Sequence, residues 1–218
     1  MRDVRVTICI PHLMREHLLY RCLKSVEKNV SVPYKVLIVN DGRKRLHFKK
    51  ENITVINNEK REGLGAARKK FADLVETEFL FALDNDILVW PGSLEVLIEA
   101  LDKNPELGVI SGICFDRGSY CSEVAKFVFV GSKVIKRLYS LDDILSFKGD
   151  IFYADFVPIS HTLFRMETVK EIAFDPNYKI GYEHWDTFMQ LYYTSWKSVS
   201  YTHLRAHETE ADIVCRLL

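Results

Sequence analysis

The first 115 residues alternate short apolar runs with amphipathic stretches, and that alternation leaves few folds open. Val4–Pro11 reads VRVTICIP, a β-branched run stopped by proline, so a buried strand is predicted whose C-terminal end opens at Pro11-His12. Over Arg15–Val30, Leu18, Leu19, Cys22, Leu23 and Val26 recur at the spacing of one helix face. Tyr34–Asn40, YKVLIVN, is a second strand closed by the turn signal Asp41-Gly42, and Ile53–Asn57 is a short third. A helical run through Val75 leads to an apolar strand from Phe79. Pro91 then suits the first turn of a helix to about Asn104, with Leu94, Leu97, Ile98 and Leu101 on one face, and Leu107–Cys114 returns as a strand. The pattern is that of a βαβ, mainly parallel sheet, and 218 residues allow it to form as one domain with a substantial core.

The run Phe79–Pro91, FLFALDNDILVWP, is broken by Asp84-Asn85-Asp86. Two carboxylates at the end of a core strand are costly unless water or a cation meets them. In an extended chain Asp84 and Asp86 point to one side and can reach the same ion; such oxygen ligands suit magnesium or manganese, which keep positions open for substrate phosphates. The alternative is a plain polar turn. Pro11, Asp41 and Asp84 all fall at strand C-termini, where open α/β sheets bind ligands.

Between Asn57 and Arg68, NNEKREGLGAAR places Gly63 and Gly65 before a helix. Glycines there let backbone approach a ligand, the helix N-terminus favours anions, and Arg68 one turn in can contact phosphate. An ordinary loop with a solvated arginine is the competing reading. Phe127–Val130 and Lys133–Tyr139 read as a hairpin about Gly131, followed by a short helical turn at Asp142–Phe147. Its basic group Lys133, Lys136 and Arg137 reads as a solvated face, with acceptor or membrane-surface contact as the alternative. Phe156–Met166 is predicted as a strand carrying a hydrogen-bonded His161 near the core, and Glu167–Ile172 as a short helix. Gly181–Asp186, GYEHWD, opens a helix to about Trp196. These residues can build an acceptor pocket with a general base, or Glu183 and Asp186 can simply complement the helix dipole while Tyr182 and Trp185 pack.

Lys plus Arg and Asp plus Glu both number 30, so net charge gives no case for a nucleic-acid partner. The cysteines Cys9, Cys22, Cys114, Cys121 and Cys215 have no metal-site spacing and fit a reduced chain. No stretch has the length of a membrane span, and the N-terminus lacks the organisation of a signal peptide. Cytoplasmic residence is therefore expected, with peripheral membrane association as its variant.

Taken in order, VTICIP, LIVNDG, the GLGAAR loop, LDND and GYEHWD resemble the inverting nucleotide-sugar glycosyltransferases of family 2, which share the GT-A fold: Rossmann-like, with helices on both faces of a mainly parallel sheet. The resemblance spans about Val4–Trp196. It implies that Pro11 and Asp41 border the nucleobase, that Gly63, Gly65 and Arg68 lie near the nucleotide, and that Asp84, Asn85 and Asp86 form the family's DxD motif, touching ribose and a divalent cation, Mn2+ or Mg2+. The donor implied is a nucleotide-sugar, in first place a UDP-sugar, and the acceptor a glycan or lipid-linked hydroxyl. The family carries Glu-Asp at its active-site helix, where this chain has Glu183-His184 with Asp186 two residues on. Motif position nominates His184 as the base, whereas carboxylate chemistry favours Asp186, then Glu183. A non-catalytic nucleotide-sugar binding module is the reading from another class. A sugar nucleotidyltransferase would need a glycine-rich phosphate loop after the first strand, where Pro11-His12-Leu13 stands instead.

Ser198–Thr209, SVSYTHLRAHET, resembles the translation of a read-through into a sequencing adapter, and VCRLL fits its continuation. Residues 1–197 are accordingly expected to be a truncated catalytic domain and 198–218 a foreign tail, so His203 and His207 are not assigned as metal ligands.

Overall fold

The computed structural model of the chain describes residues 3–116, 119–121, 123–202 and 216–217. The N-terminal half follows the predicted alternation: β1 (Val6–His12), α1 (Glu16–Asn29), β2 (Tyr34–Asn40), β3 (Ile53–Asn57), α2 (Leu64–Leu74), β4 (Phe79–Leu83), a two-residue β5 (Leu88–Val89), α3 (Ser93–Lys103) and β6 (Leu107–Ser111). Short strands β7 (Cys114–Asp116) and β8 (Ser119–Cys121) precede the hairpin of β9 (Ala125–Val130) and β10 (Lys133–Leu138). Then come α4 (Leu141–Leu145), β11 (Ile151–Tyr153), β12 (His161–Arg165), α5 (Met166–Glu171), α6 (Glu183–Tyr192), β13 (Lys197–Tyr201) and β14 (Arg216–Leu217).

Eight strands form the central sheet in the order β11-β13-β6-β12-β4-β1-β2-β3. Pairings are parallel except at β12 and β11, so the sheet is mixed but mainly parallel. Alternation along each strand explains the two-sided core. Ile8, Ile10, Val36, Ile38, Phe79 and Phe81 face one cluster with Leu19 and Cys22 of α1 and Leu94 and Leu97 of α3. Cys9, Leu37, Val39, Leu80 and Ala82 face the other, with Phe71 of α2, Val169 of α5 and Phe188 of α6. Helices therefore cover both faces, which is why the strands read as unbroken apolar runs. From β1 the chain runs to β2 and β3 on one side, while β4 pairs on the other, so a crevice opens at the carboxyl ends of β1, β2 and β4.

The strand from Phe79 ends at Leu83, at the break expected from Asp84-Asn85-Asp86, and Ile87 N–H donates to Asp84 O (3.2 Å) to close a turn there. Other expected elements are shorter than drawn. Phe156–Met166 pairs in the sheet only from His161, because Phe156 leaves to exchange backbone hydrogen bonds with Ala125 and Pro158 has no N–H to offer a ladder. Helix α6 stops at Tyr192, and Thr194 Oγ1 bonds Leu191 O (2.8 Å) beyond its end.

Strand β13 begins at the boundary drawn between domain and tail. It lies between β6 and β11 with Val199 and Ser200 buried, and Thr202 N–H donates to Asp150 O (2.9 Å), so packed chain continues past Lys197. Residues 203–215 and 218, with His203 and His207, lie outside the described residues. Cys9 and Cys22 are buried free thiols. Cys114, whose register partner across β7–β8 is Cys121, is disulfide-bonded, so the expectation of a wholly reduced set does not hold for it.

His161 is the core histidine expected. It is buried, its Nε2–H donates to Gly112 O (3.0 Å), and Ser160 Oγ donates to its Nδ1 (3.0 Å). Burial pushes its pKa from 6.5 down to about 4, against a smaller opposing effect of the Gly112 bond. The unfolded chain thus takes up this proton first, and stability is lost as pH falls from 6.5 towards 4, by about 1.4 kcal/mol per pH unit and about 3 kcal/mol in all. Urea denaturation of the wild type and His161→Gln should show their stability difference narrowing over that window; parallel pH profiles would contradict the assignment.

Candidate active site

The crevice at the strand ends contains a cleft of about 320 Å³. Five residues predicted to touch nucleotide line it: Pro11, Asp41, Gly63, Asp84 and Asn85. Three cations that sequence reading passed over, Arg15, Arg61 and Lys179, line it as well. Isolated basic residues in loops carry no spacing that marks them; the fold collects them. Together they make the cleft suited to an anion.

Asp41 organises one wall. Its Oδ1 accepts from Asn58 Nδ2 (2.5 Å) and Glu62 N–H (3.3 Å), and its Oδ2 from Gly63 N–H (2.7 Å), so the carboxylate holds the β3–α2 loop in place. Asn85 organises the opposite wall: its amide donates to His12 Nδ1 (2.9 Å) and Met14 O (3.1 Å). Burial lowers the pKa of His12, with Glu16 opposing, which suits its role as acceptor of the Asn85 amide.

The two glycines do permit close backbone approach, and the backbone that approaches is the chain's own. A Cβ on Gly65 would stand 2.4 Å from Asp175 O, and one on Gly63, whose φ is +103°, 2.6 Å from Lys179 Cα. Leu64 N–H donates to Lys179 O (3.2 Å) and Gly65 N–H to Tyr178 O (2.9 Å). The start of α2 thereby pins the segment that leads into α6.

Beneath the cleft is a buried charge cluster. Arg68, only 3% exposed, points from α2 towards the sheet. Its Nη2 lies 3.0 Å from His184 Nε2 and 3.7 Å from Glu183 Oε1, and His184 Nε2 lies 2.9 Å from that same oxygen. Glu183 is 2% exposed at the start of α6. The Arg68–His184 contact is a hydrogen bond, whereas those to Glu183 are ion-pair contacts: among the described residues, Arg68 Nη1 and both Glu183 carboxylate oxygens are buried without a hydrogen-bond partner. Such orphaned buried groups are rare in folded proteins, and each calls for a physical cause such as strain, a bound water or ion, or a catalytic role. Burial raises the Asp84 carboxyl pKa, with the charge of Arg68 opposing and Asp86 reinforcing. For Glu183 burial also acts upwards, but His184 and Arg68 outweigh it and hold the carboxyl below its usual value. Burial lowers the pKa of Arg68, opposed by Asp84 and Glu183.

Asp84 and Asp86 do not share the side of an extended strand, because the chain turns between them. Asp84 faces the buried cluster, and Asp86 pairs with Arg15 Nη2 (3.1 Å). No group of three or more metal-ligating side chains occurs among the described residues. Two carboxylates of this kind fit a hard cation that takes its other ligands from phosphate and water. Asp186, one turn into α6, accepts from Gln190 Nε2 (2.8 Å), and Gln190 in turn bonds both Ala173 N–H and O. The structure therefore groups Arg68, Asp84, Glu183 and His184, and turns Asp186 towards Gln190. Arg15 and Tyr182, the non-glycine residues with positive φ among those described, stand immediately before α1 and α6. Backbone strain is thus placed at the two helix starts that border the site.

Removing the buried cation should be costly. Arg68→Ala is expected to destabilise by about 3–5 kcal/mol by leaving Asp84 and Glu183 without their counter-charge. Arg68→Met combined with Glu183→Gln should recover more than half of that loss in chemical denaturation; simple additivity would show that the two side chains are not coupled.

The family model described as "Glycosyl transferase family 2" matches residues 7–120. A curated relative, an "Uncharacterized glycosyltransferase" of Haemophilus influenzae, is 26% identical over 109 residues, covering 48% of this chain and 37% of the relative. Among solved structures, the crystal structure of S. aureus TarS 1-349 superposes with a TM-score of 0.61 at 16% identity, covering 91% of this chain and 58% of that one. That likeness is one of fold, and the chain spans little more than a third of the curated relative and under two thirds of the solved structure.

Proposed function

The chain belongs to glycosyl transferase family 2, and on that premise we propose that it transfers a sugar from a nucleotide-sugar, in first place a UDP-sugar, to a hydroxyl of a glycan or lipid-linked acceptor, with inversion. The observation that carries this reading is the cation-lined cleft directly above a buried, incompletely bonded Arg68–Glu183–His184 cluster. Arg15, Arg61 and Lys179 supply the positive field for a diphosphate, while Pro11 and the loop held by Asp41 border the base. Asp84 and Asp86 would hold Mn2+ or Mg2+, which when bound neutralises charge on the leaving diphosphate. In that state Arg15 is free to turn from Asp86 to the phosphates.

The sugar then points towards the start of α6. We assign general-base work to the Glu183–His184 pair, because its carboxylate and ring are in contact beside Asp84, and the ring is the more exposed of the two. His184 takes the acceptor proton, Glu183 stabilises the imidazolium, and the freed oxygen attacks the anomeric carbon opposite the departing nucleoside diphosphate. Asp186 is the second candidate, one turn further along the same helix.

Calorimetric titration of UDP with manganese and then with chelator tests the donor site. Binding should require the metal and vanish in Asp86→Ala; unchanged affinity in that variant would remove its role. With donor and acceptor supplied, His184→Gln and Glu183→Gln should each lower kcat about a hundredfold or more with donor affinity kept. A dead Asp186→Asn beside an active His184→Gln would move the base to Asp186. A binding module would take up UDP but release no nucleoside diphosphate in the presence of any acceptor, and a nucleotidyltransferase would release pyrophosphate.

A further inference from the structure

The β9–β10 hairpin forms a two-stranded sheet of its own against α6, and its outer face holds none of the residues assigned to sugar transfer above. Antiparallel register pairs Lys126 with Arg137, Val128 with Ile135, and Val130 with Lys133. Paired residues share a face of the ribbon, so all six lie on the same side. That side carries three cations, three branched aliphatics and no acid, in a chain whose net charge is zero. Val130 is 56% exposed and Ile135 50%.

The opposite side of the ribbon is anchored. Phe127 is buried and stacks on Trp185 of α6 (centroids 5.6 Å apart). Lys136 lies over the ring of Phe156 at 4.2 Å and pairs with Glu123, which withdraws it from the basic group read from the sequence and leaves Lys126 in its place. Near the tip, Phe129 meets Tyr192 at 5.3 Å, with the exposed Tyr193 next to it. On the outer side, an apolar stripe between cations matches the layering of a membrane interface, acyl boundary and anionic headgroups.

We propose that the outer face of the β9–β10 hairpin docks this protein on an anionic lipid bilayer. Val128, Val130 and Ile135 enter the headgroup–acyl boundary, and Lys126, Lys133 and Arg137 spread their charges among lipid phosphates. Because the inner face packs on α6, docking sets the base-bearing helix at a fixed height above the bilayer. A bulk carbohydrate surface would not select for cations, and a nucleic acid would not select for exposed aliphatics. The charge pattern and the apolar stripe together point to lipid.

Co-sedimentation of the 218-residue chain with vesicles tests this. It should pellet with phosphatidylcholine vesicles containing about a third phosphatidylglycerol, stay in solution with phosphatidylcholine alone, and lose affinity steeply as salt rises. Lys126→Glu/Lys133→Glu/Arg137→Glu and, separately, Val128→Asp/Ile135→Asp should each weaken binding roughly tenfold or more, with melting temperature and UDP titration unchanged. In Ile135→Trp, anionic vesicles should shift the added fluorescence to the blue. Absence of wild-type pelleting, equal pelleting with both lipid types, or variants that pellet like wild type would each overturn the proposal. Capture on a soluble polyanion without vesicle binding would overturn it in favour of a nucleic-acid or glycan partner. None of these readouts depends on sugar transfer.

Discussion

A buried guanidinium holds the functional end of this molecule together. Arg68 reaches from α2 into a region shared by the end of β4 and the start of α6, where Asp84, Glu183 and His184 converge. Burying a carboxylate is costly unless an opposite charge comes with it, and here two carboxylates depend largely on one cation. The geometry of α6 relative to the sheet is therefore set by charge as well as by packing of Phe188 and Leu191. Three elements far apart in sequence meet at a point that apolar contact alone would leave loosely defined.

The second constraint is the tie between α2 and the segment entering α6. Gly63 and Gly65 allow the backbone of Asp175–Lys179 to lie against the helix start, and two helix N–H groups are satisfied by carbonyls of that segment. Asp41 completes the arrangement by gripping Gly63 from the end of β2. The cleft wall is thus built by the same contacts that orient α6, so a ligand seated against Asp41 and Lys179 is mechanically linked to Glu183.

The sheet and its helices were legible in the sequence because apolar periodicity reports burial directly: Leu18, Leu19, Cys22 and Val26 are buried in α1 as their spacing requires. The residues bordering the cleft were legible for a related reason, since strand C-termini are where α/β sheets bind ligands and Pro11, Asp41 and Asp84 fall there. The interior of the site was harder. A lone arginine in an amphipathic helix looks solvated, and nothing local shows that Arg68 will be met by residues more than a hundred positions later. The orientation of Glu183 against Asp186 depends on the helix phase set by Tyr182 at φ 62°, a conformation its side chain does not favour. Asp84-Asn85-Asp86 satisfied both a metal pair and a turn, because the same residue types serve both, and the backbone turns.

The strained starts of α1 and α6 carry an implication for engineering. Arg15 and Tyr182 occupy a backbone region where glycine would be at ease, so Arg15→Gly or Tyr182→Gly would relieve local steric conflict. Any thermostability gained that way would come at the expense of Asp86's ion-pair partner and of the residue that aims the Glu183–His184 pair. A selection for heat resistance alone would therefore drift towards sequences that keep the fold and lose the aim of the site.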